Sequence, residues 1–429
     1  MSTTPLTLSI AGQPTPITLP QVPGTRGHVG VDIRELNHSG FCSYDPGFAN
    51  TAGCQSAISW IDTENSVLLH RGYPVDQLAR QCDFLEVAYI MLNGDAPDEA
   101  SYQTFRETIT RHTLVHEQIA RMCSGFRRDS HPMALMCALV GALAAFYHDV
   151  LDVENPQHRA LAATRLLSKM PTIAAMSYKY TIEQPAAYPR NDLSYAGNFL
   201  QMLFAIPAEK YVLNPVIEQA MNQILVLHAD HGQCASTTTV RAAGSSGANL
   251  FACVAAGLAS LWGPMHGGAN ESSMRMLEEI ESVDQVPAFL RQAKRDPQAF
   301  RRLGFGNSRY RHRDPRADIL RETSHRVLAE VGMSDRLLQV AMALEDVALT
   351  DPYFVENGLS PSVDFYTAVI LKAMNLPSSM FAVVTAVGRT VGWVAHWNEM
   401  HQAPLTIYRP RQIYVGEGYR DYVSRRGER

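Results

Sequence analysis

Near the start of the chain, apolar and polar positions alternate twice, and then the period changes. Leu6, Leu8 and Ile10 alternate with polar residues, Ala-Gly-Gln-Pro breaks the run, and Ile17 and Leu19 take up the alternation again. That pattern predicts a β-hairpin. The stretch SAISWIDTENSVLLHRGY predicts a second hairpin turning at Asp62-Thr63-Glu64-Asn65. From Pro74 onward the spacing becomes helical: Leu78, Phe84, Leu85, Ala88, Ile90 and Met91 begin a series that continues to about Trp397. Clusters such as YPRNDLSY and ESVDQVP predict the loops between helices. No internal repeat interrupts the series, so a mostly α protein with a small N-terminal β segment is predicted.

The chain has 429 residues, 46% of them apolar, enough to bury a large core and to favour more than one domain. Its longest apolar run, Met133 to Tyr147, is too short and too rich in Ala and Gly for a membrane span and predicts a core helix. The opening MSTTPLTLSI lacks a basic and apolar leader pattern. Seven cysteines form no CxxC pair, which points to reduced thiols. A cytoplasmic location is the expectation.

Net charge is −5, yet Arg309, Arg311, Arg313, Arg316 and His312 crowd the segment NSRYRHRDPR. In an acidic chain such a cluster is local, which argues against a nucleic-acid surface and for a small anionic ligand. Other candidate chemistry lies nearby in sequence. LHADHGQCAS sets His228 and His231 three apart on an expected helix, and HTLVHEQ offers His112 and His116. Neither stretch has a metal-protease order or a third ligand, so no metal site is expected. GPMHGGANE surrounds His266 with glycines on irregular backbone. The glycines of GSSGAN lack a phosphate-loop lysine and are read as close helix packing. Asp364 stands just before an apolar helix, either as a helix N-cap or plain first-turn acid or as a functional carboxylate. Arg389 stands inside an apolar run, where a guanidinium requires a buried anion. Arg409 and Arg411 flank a proline in IYRPRQIY, where an exposed tail is the plain explanation.

HADHGQCASTTTVR, GPMHGGANE, GFGNSRYRHRDPRA, DFYTAVILKAM and RTVGWVAHW, in this order and spacing, resemble citrate synthase, specifically the type II enzymes of Gram-negative bacteria. The resemblance extends from RGYPVDQLA through RRDSHPMA and LLSKMPT to RPRQIY. It implies a two-domain helical fold: an N-terminal β segment over residues 1–50, a large domain over 51–275 and 380–429, and a small domain over 276–379. It also implies a dimer-based homo-oligomer, a hexamer in this branch, acting on small molecules and on neither nucleic acid nor membrane. The implied reaction, the first step of the tricarboxylic acid cycle, is a Claisen-type condensation of acetyl-CoA with oxaloacetate to citrate and CoA. Acetyl-CoA is a co-substrate, and no tightly bound cofactor is implied. By the same resemblance Asp364 is the base and His266 the neutral donor to the enolate oxygen. His228, His231, Arg316, Arg389 and a partner subunit's copy of Arg409 hold oxaloacetate, and Arg309 or Arg311 meets CoA phosphates. Arg111, His112, Tyr147, Arg165 and Lys169 match an allosteric NADH site.

The sequence departs from that pattern at three positions. Asn307 follows Gly-Phe-Gly where the family carries an acid histidine over the oxaloacetate carbonyl; Ser308 stands where an arginine is usual, and Ala208 replaces a cysteine of the NADH site. An asparagine amide still donates a hydrogen bond but delivers no proton. Three readings therefore stay open: a citrate synthase attenuated by Asn307, with Asn307, a water or His312 in place of the acid; a 2-methylcitrate synthase or other acyl-CoA/2-oxo acid condensing enzyme; and a weakly catalytic regulatory or structural paralogue.

Overall fold

The structure is a computed structural model that describes residues 4–11, 15–295, 304–306, 310, 313–332 and 335–422. The chain packs as two units, Met1–Gln55 with Ile407–Arg429 and Ser56–Thr406. In the first, β1 (Leu6–Leu8) pairs antiparallel with β2 (Ile17–Leu19), Leu6 facing Leu19, and β3 (Gln21–Val22) pairs with β4 (Gly30–Val31). The first predicted hairpin is thus present.

The second unit opens with β5 (Ser59–Asp62), β6 (Val67–His70) and β7 (Tyr73–Pro74) in an antiparallel three-stranded sheet. Its turn forms where the sequence placed it, because Asp62 Oδ1 accepts the Glu64 and Asn65 amides, each at 3.0 Å. Helices α1 (Val75–Gln81), α2 (Phe84–Asn93), α3 (Glu99–Thr110), α4 (Glu117–Met122), α5 (Pro132–Phe146) and α6 (Pro156–Thr181) follow. Next come α7 (Tyr195–Phe204), α8 (Pro215–Leu227), α9 (Ala235–Gly244), α10 (Leu250–Leu261), α11 (Ala269–Glu279) and α12 (Val286–Ala293). The chain continues through α13 (Pro315–Val331), α14 (Arg336–Thr350), α15 (Pro352–Glu356), α16 (Val363–Ala373) and α17 (Phe381–Met400).

Several helices start in one way. A side-chain acceptor caps the first free amides and a proline follows at the first helical position, as at Asn155-Pro156, Asn214-Pro215, Asp314-Pro315 and Asp351-Pro352. One expected loop is corrected: in ESVDQVP a short 3-10 turn at Val283–Gln285 leads straight into α12, which starts without a side-chain cap but with Pro287 in its first turn, where the missing N–H costs nothing.

The centre of the unit is α17, packed against α2, α6, α8, α9 and α10. An 18-residue window of Ser378–Met400 has a mean hydropathy of 1.2 and is 89% buried within the protein. Such a helix is long and apolar enough to cross a membrane, but here protein covers it. The predicted core helix at Met133–Tyr147 is α5, and Gly244 packs closely on Trp397 and Met400 of α17, as expected for GSSGAN, whereas Gly247 of the same stretch serves a turn at a positive φ of 80° and packs on no helix among the described residues.

Candidate active site

Two glycines let α17 approach the end of α8. A Cβ at Gly388 would lie 2.8 Å from the Leu225 carbonyl oxygen, and one at Gly392 would lie 2.6 Å from Asp230 Oδ1. With both absent, the buried Arg389 donates from Nε to the His228 carbonyl at 2.8 Å.

Here the helix expected through His228 and His231 is corrected. The α8 ladder stops at Leu227, His228 is its C-cap, and Gly232 takes a positive φ of 57°, so His231 sits on irregular backbone. Tertiary demands override helical spacing at this point: Asp230 Oδ2 accepts the Gly232 amide at 2.8 Å and the His396 Nε2 proton at 3.3 Å. The buried Asp230 would be raised by desolvation, but the nearby His396 and Arg389 override burial and hold it well below the usual carboxylate range.

His228 is neutral, since burial and the adjacent Arg316 guanidinium push it down to about 3. Its Nδ1 donates to the Ile224 carbonyl at 2.9 Å, which leaves Nε2 as a buried acceptor with no hydrogen bond among the described residues. His231 Nε2 lies 3.2 Å from the Tyr310 hydroxyl.

Arg316 is placed by the start of α13. Asp314 caps that helix and grips Arg316 bidentately, Nε–Oδ1 at 2.9 Å and Nη2–Oδ2 at 2.7 Å, while Nη1 reaches the Leu227 carbonyl at 3.3 Å. Both side chains are buried. Desolvation opposes the charge on Arg316, but the Asp314 carboxylate overrides it and raises the guanidinium further above its usual range.

Asp364 lies in the first turn of α16, whose N-cap Ser362 accepts the Asp364 amide at 3.1 Å. The Gly304–Gly306 segment is pinned to the residues before α16: the Ser362 amide donates to Gly304 O at 3.0 Å and Gly306 N donates to Ser360 O at 2.7 Å. Phe305 is fully buried with its ring 5.0 Å from that of Phe365. Burial raises the Asp364 carboxyl to about 6, against the pull of Arg316, His266 and Arg389. A carboxylate of that basicity takes protons well near neutral pH.

His266 stands on a turn between α10 and α11. Its Nε2 is 2.8 Å from Ser236 Oγ, which also accepts the Trp393 indole proton at 3.2 Å. The Ser236 amide points at the same Nε2, at 3.4 Å. Because the Ser236 amide donates to Nε2, that nitrogen is an acceptor for the Ser236 hydroxyl as well, and the tautomer this contact selects carries its proton on Nδ1. His266 Nδ1 is thereby set as a donor.

One unit thus brings together His228, His231, His266, Arg316, Asp364 and Arg389. Asn307, Arg309, Arg311, Ser308 and His312 lie outside the described residues. Arg409 is exposed and belongs to the first unit. Sequence reading missed Ser236, Tyr310, Asp314 and His70. His70, on β6, is fully buried, and burial pushes it down to about 4; its Nδ1 meets Ser59 Oγ at 2.8 Å and it feels Asp230, Arg316 and Arg389. The one sequence signal for it was a histidine on the apolar side of a strand.

The expected NADH residues also cluster. The Arg165 guanidinium lies 4.7 Å and the Lys169 ammonium 5.2 Å from the Tyr147 ring centroid, and Lys169 Nζ donates to the His112 carbonyl. Arg111 lines a cavity of about 410 Å³ with Thr113, Arg190 and Asn191.

A carboxylate able to take a proton, an imidazole placed to donate a hydrogen bond, and buried guanidinium groups on a helical scaffold make an acid–base enzyme. The chain belongs to the citrate synthase family, matching the family described as citrate synthase, C-terminal domain, over residues 47–411. It is an acyltransferase of the class that converts acyl groups into alkyl groups on transfer (EC 2.3.3). Its fold is similar to citrate synthase from Pyrobaculum aerophilum, with TM-score 0.80, 32% identity and coverage of 87% of this chain and 92% of that one. It is also similar to the Thermoplasma acidophilum citrate synthase in ternary complex with carboxymethyl coenzyme A and oxaloacetate, with TM-score 0.80, 26% identity and coverage of 89% and 99%. The Thermotoga maritima citrate synthase matches with TM-score 0.74, 28% identity and coverage of 89% and 99%.

Proposed function

We propose that this chain condenses acetyl-CoA with oxaloacetate to give citrate and CoA. The observation that carries the reading is Asp364, a partly buried carboxylate raised to about 6 and within electrostatic reach of His266, Arg316 and Arg389. A thioester methyl is a very weak acid, so Asp364 removes its proton while His266 Nδ1–H stabilises the enolate oxygen. The enolate carbon then attacks the oxaloacetate carbonyl, and hydrolysis of the citryl-CoA thioester releases CoA. His228, His231, Arg316 and Arg389, with a partner subunit's copy of Arg409, hold the two oxaloacetate carboxylates and its carbonyl.

The finer assignments rest on the sequence resemblance. They are membership of the type II branch, a homohexamer, a large domain over 51–275 and 380–429 with a small one over 276–379, a cytoplasmic location, a role in the tricarboxylic acid cycle, NADH regulation, and Arg309 or Arg311 on CoA phosphates. Asn307 makes the enzyme slower than a relative with histidine there, because one proton donor is lost.

A CoA-release assay with acetyl-CoA and propionyl-CoA against oxaloacetate tests the reading. Acetyl-CoA turnover exceeding propionyl-CoA turnover supports it; the reverse makes the chain a 2-methylcitrate synthase, and turnover of neither makes it a paralogue without this activity. Asn307→His is expected to raise kcat about tenfold or more, equal to about 1.4 kcal/mol of barrier, with little change in the KM for oxaloacetate. An unchanged kcat would show that the loop works without an acid there.

A further inference from the structure

Cys234 has no part in the chemistry above, yet it stands against the guanidinium proposed to hold substrate. It is the N-cap residue of α9 and is 5% exposed. Its Sγ lies 3.1 Å from Arg389 Nη1 and 3.3 Å from Thr237 Oγ1. Ser236 Oγ is 3.4 Å away, and the His266 imidazole also acts on this sulfur.

A second observation comes from the arginine. Arg389 is 4% exposed, and among the described residues its hydrogen bonds are from Nε to the His228 carbonyl and from Nη1 to this sulfur. Among the described residues no carboxylate comes within ion-pair distance of it; Asp230 and Asp364 act from farther off. The sulfur is therefore the atom positioned to serve as its close counter-anion, at the positive end of α9 and with Thr237 as a further donor.

Among the described residues, no guanidinium is hydrogen-bonded to Cys82, Cys123, Cys137 or Cys253. Burial pushes Cys82 and Cys137 up to about 11 and Cys253 up to about 12. Burial acts on Cys234 in the same direction, but the Arg389 charge, joined by the His266 imidazole and the Ser236 hydroxyl, overrides it and holds the thiol well below its usual range.

We propose that Cys234 is a peroxide-sensitive thiolate that occupies the anion position on Arg389 when the substrate site is empty, so that oxidation of this sulfur and binding of a dicarboxylate exclude one another. In the step, the thiolate attacks one oxygen of hydrogen peroxide, the S–O bond forms as the O–O bond breaks, and hydroxide leaves with the bonding pair. Sulfur loses two electrons to give a sulfenic acid, and the peroxide is reduced. The added oxygen lies between Arg389 and an incoming carboxylate and blocks the clamp until a dithiol reduces it. This inference rests on the reading of Arg389 as a carboxylate holder.

The test treats the full-length protein with hydrogen peroxide, traps sulfenic acid with dimedone and locates it by peptide mass spectrometry, with and without saturating oxaloacetate. Calorimetry measures oxaloacetate binding in parallel. The expected result is oxidation of Cys234 at least tenfold faster than of Cys82, Cys137 or Cys253, slowed at least tenfold by oxaloacetate. Activity lost to peroxide returns with dithiothreitol, and Cys234→Ser abolishes the peroxide sensitivity of whatever activity that variant has. The wild-type labelling decides the matter even if the variant does not fold. Oxidation of Cys234 no faster than of the other three thiols overturns the proposal. Oxaloacetate that binds by calorimetry but does not protect overturns it as well. Oxaloacetate that does not bind defeats the functional reading instead, and the labelling rates without ligand still judge the thiolate.

Discussion

At the scale of single residues, the site works by placing ordinary groups in unusual surroundings. Asp364 shows this most plainly, because its folded-state carboxyl, at about 6, is more basic than an unfolded aspartate. A proton therefore stabilises the folded form at low pH, and that contribution is lost as pH rises through about 6. Asp364→Asn should accordingly stabilise the protein at pH 8, by on the order of 2–3 kcal/mol, and so raise its melting temperature there, but leave it nearly unchanged below about pH 4, the unfolded aspartate's own range. The same variant should lower kcat by about 10²–10⁴ while oxaloacetate binding persists. Thermal unfolding at the two pH values and calorimetry check both halves; undiminished turnover would remove Asp364 from the reaction. Ser236 acts on His266 and is a positioning residue. Ser236→Ala should lower kcat at least tenfold, though less than the about 10²–10³ expected for loss of the donor itself, with the KM for oxaloacetate unchanged. A rise in KM with constant kcat would point to a merely structural hydroxyl.

At the scale of elements, the site depends on how closely α17 meets the end of α8. Gly388 and Gly392 each weaken a helix relative to alanine, but they allow the backbone contact that seats Arg389 on the His228 carbonyl. Gly392→Ala should therefore destabilise the protein by about 1–3 kcal/mol, because the new methyl meets Ala229 O and Asp230. Weaker oxaloacetate binding should accompany the loss. Chemical denaturation and calorimetry measure the two effects, and an alanine variant of full stability would show that the helices can separate without cost. Helix starts were legible in sequence wherever a capping side chain preceded proline, as at Asp314-Pro315. The end of α8 was not. His228 and His231 keep helical spacing, and only the fold supplies His396 and the Arg389 helix that draw the chain out of the ladder at Ala229.

At the scale of the whole molecule, regulation by NADH would act through a cluster that shares no residue with the acid–base centre. Burial and the Arg165 charge hold the Lys169 ammonium down to about 8. If the dinucleotide binds there, its phosphates favour the charged form, so affinity should fall as pH rises from 7 to 9. Quenching of intrinsic fluorescence by NADH across that range is the measurement. No binding at millimolar NADH would mean that Ala208 and its neighbours leave no site, and binding independent of pH would exclude Lys169 from it.

What the sequence determined by itself is whatever depends on near neighbours along the chain. The change from twofold to helical period, the Asp62 turn and the acid in the first turn of α16 all come from residues within a few positions of each other. So does the ordered set of motifs from which the family resemblance was read. The tertiary structure alone decided which groups share a site and in what state. The Ser236 hydroxyl that fixes the proton of His266 lies 30 residues away from it, and the sulfur facing Arg389 lies 155 residues away. The basicity of Asp364 sums desolvation with the charges of residues drawn from α13, α17 and the turn before α11. Such terms depend on distance in space and on exclusion of water, neither of which spacing along a chain encodes.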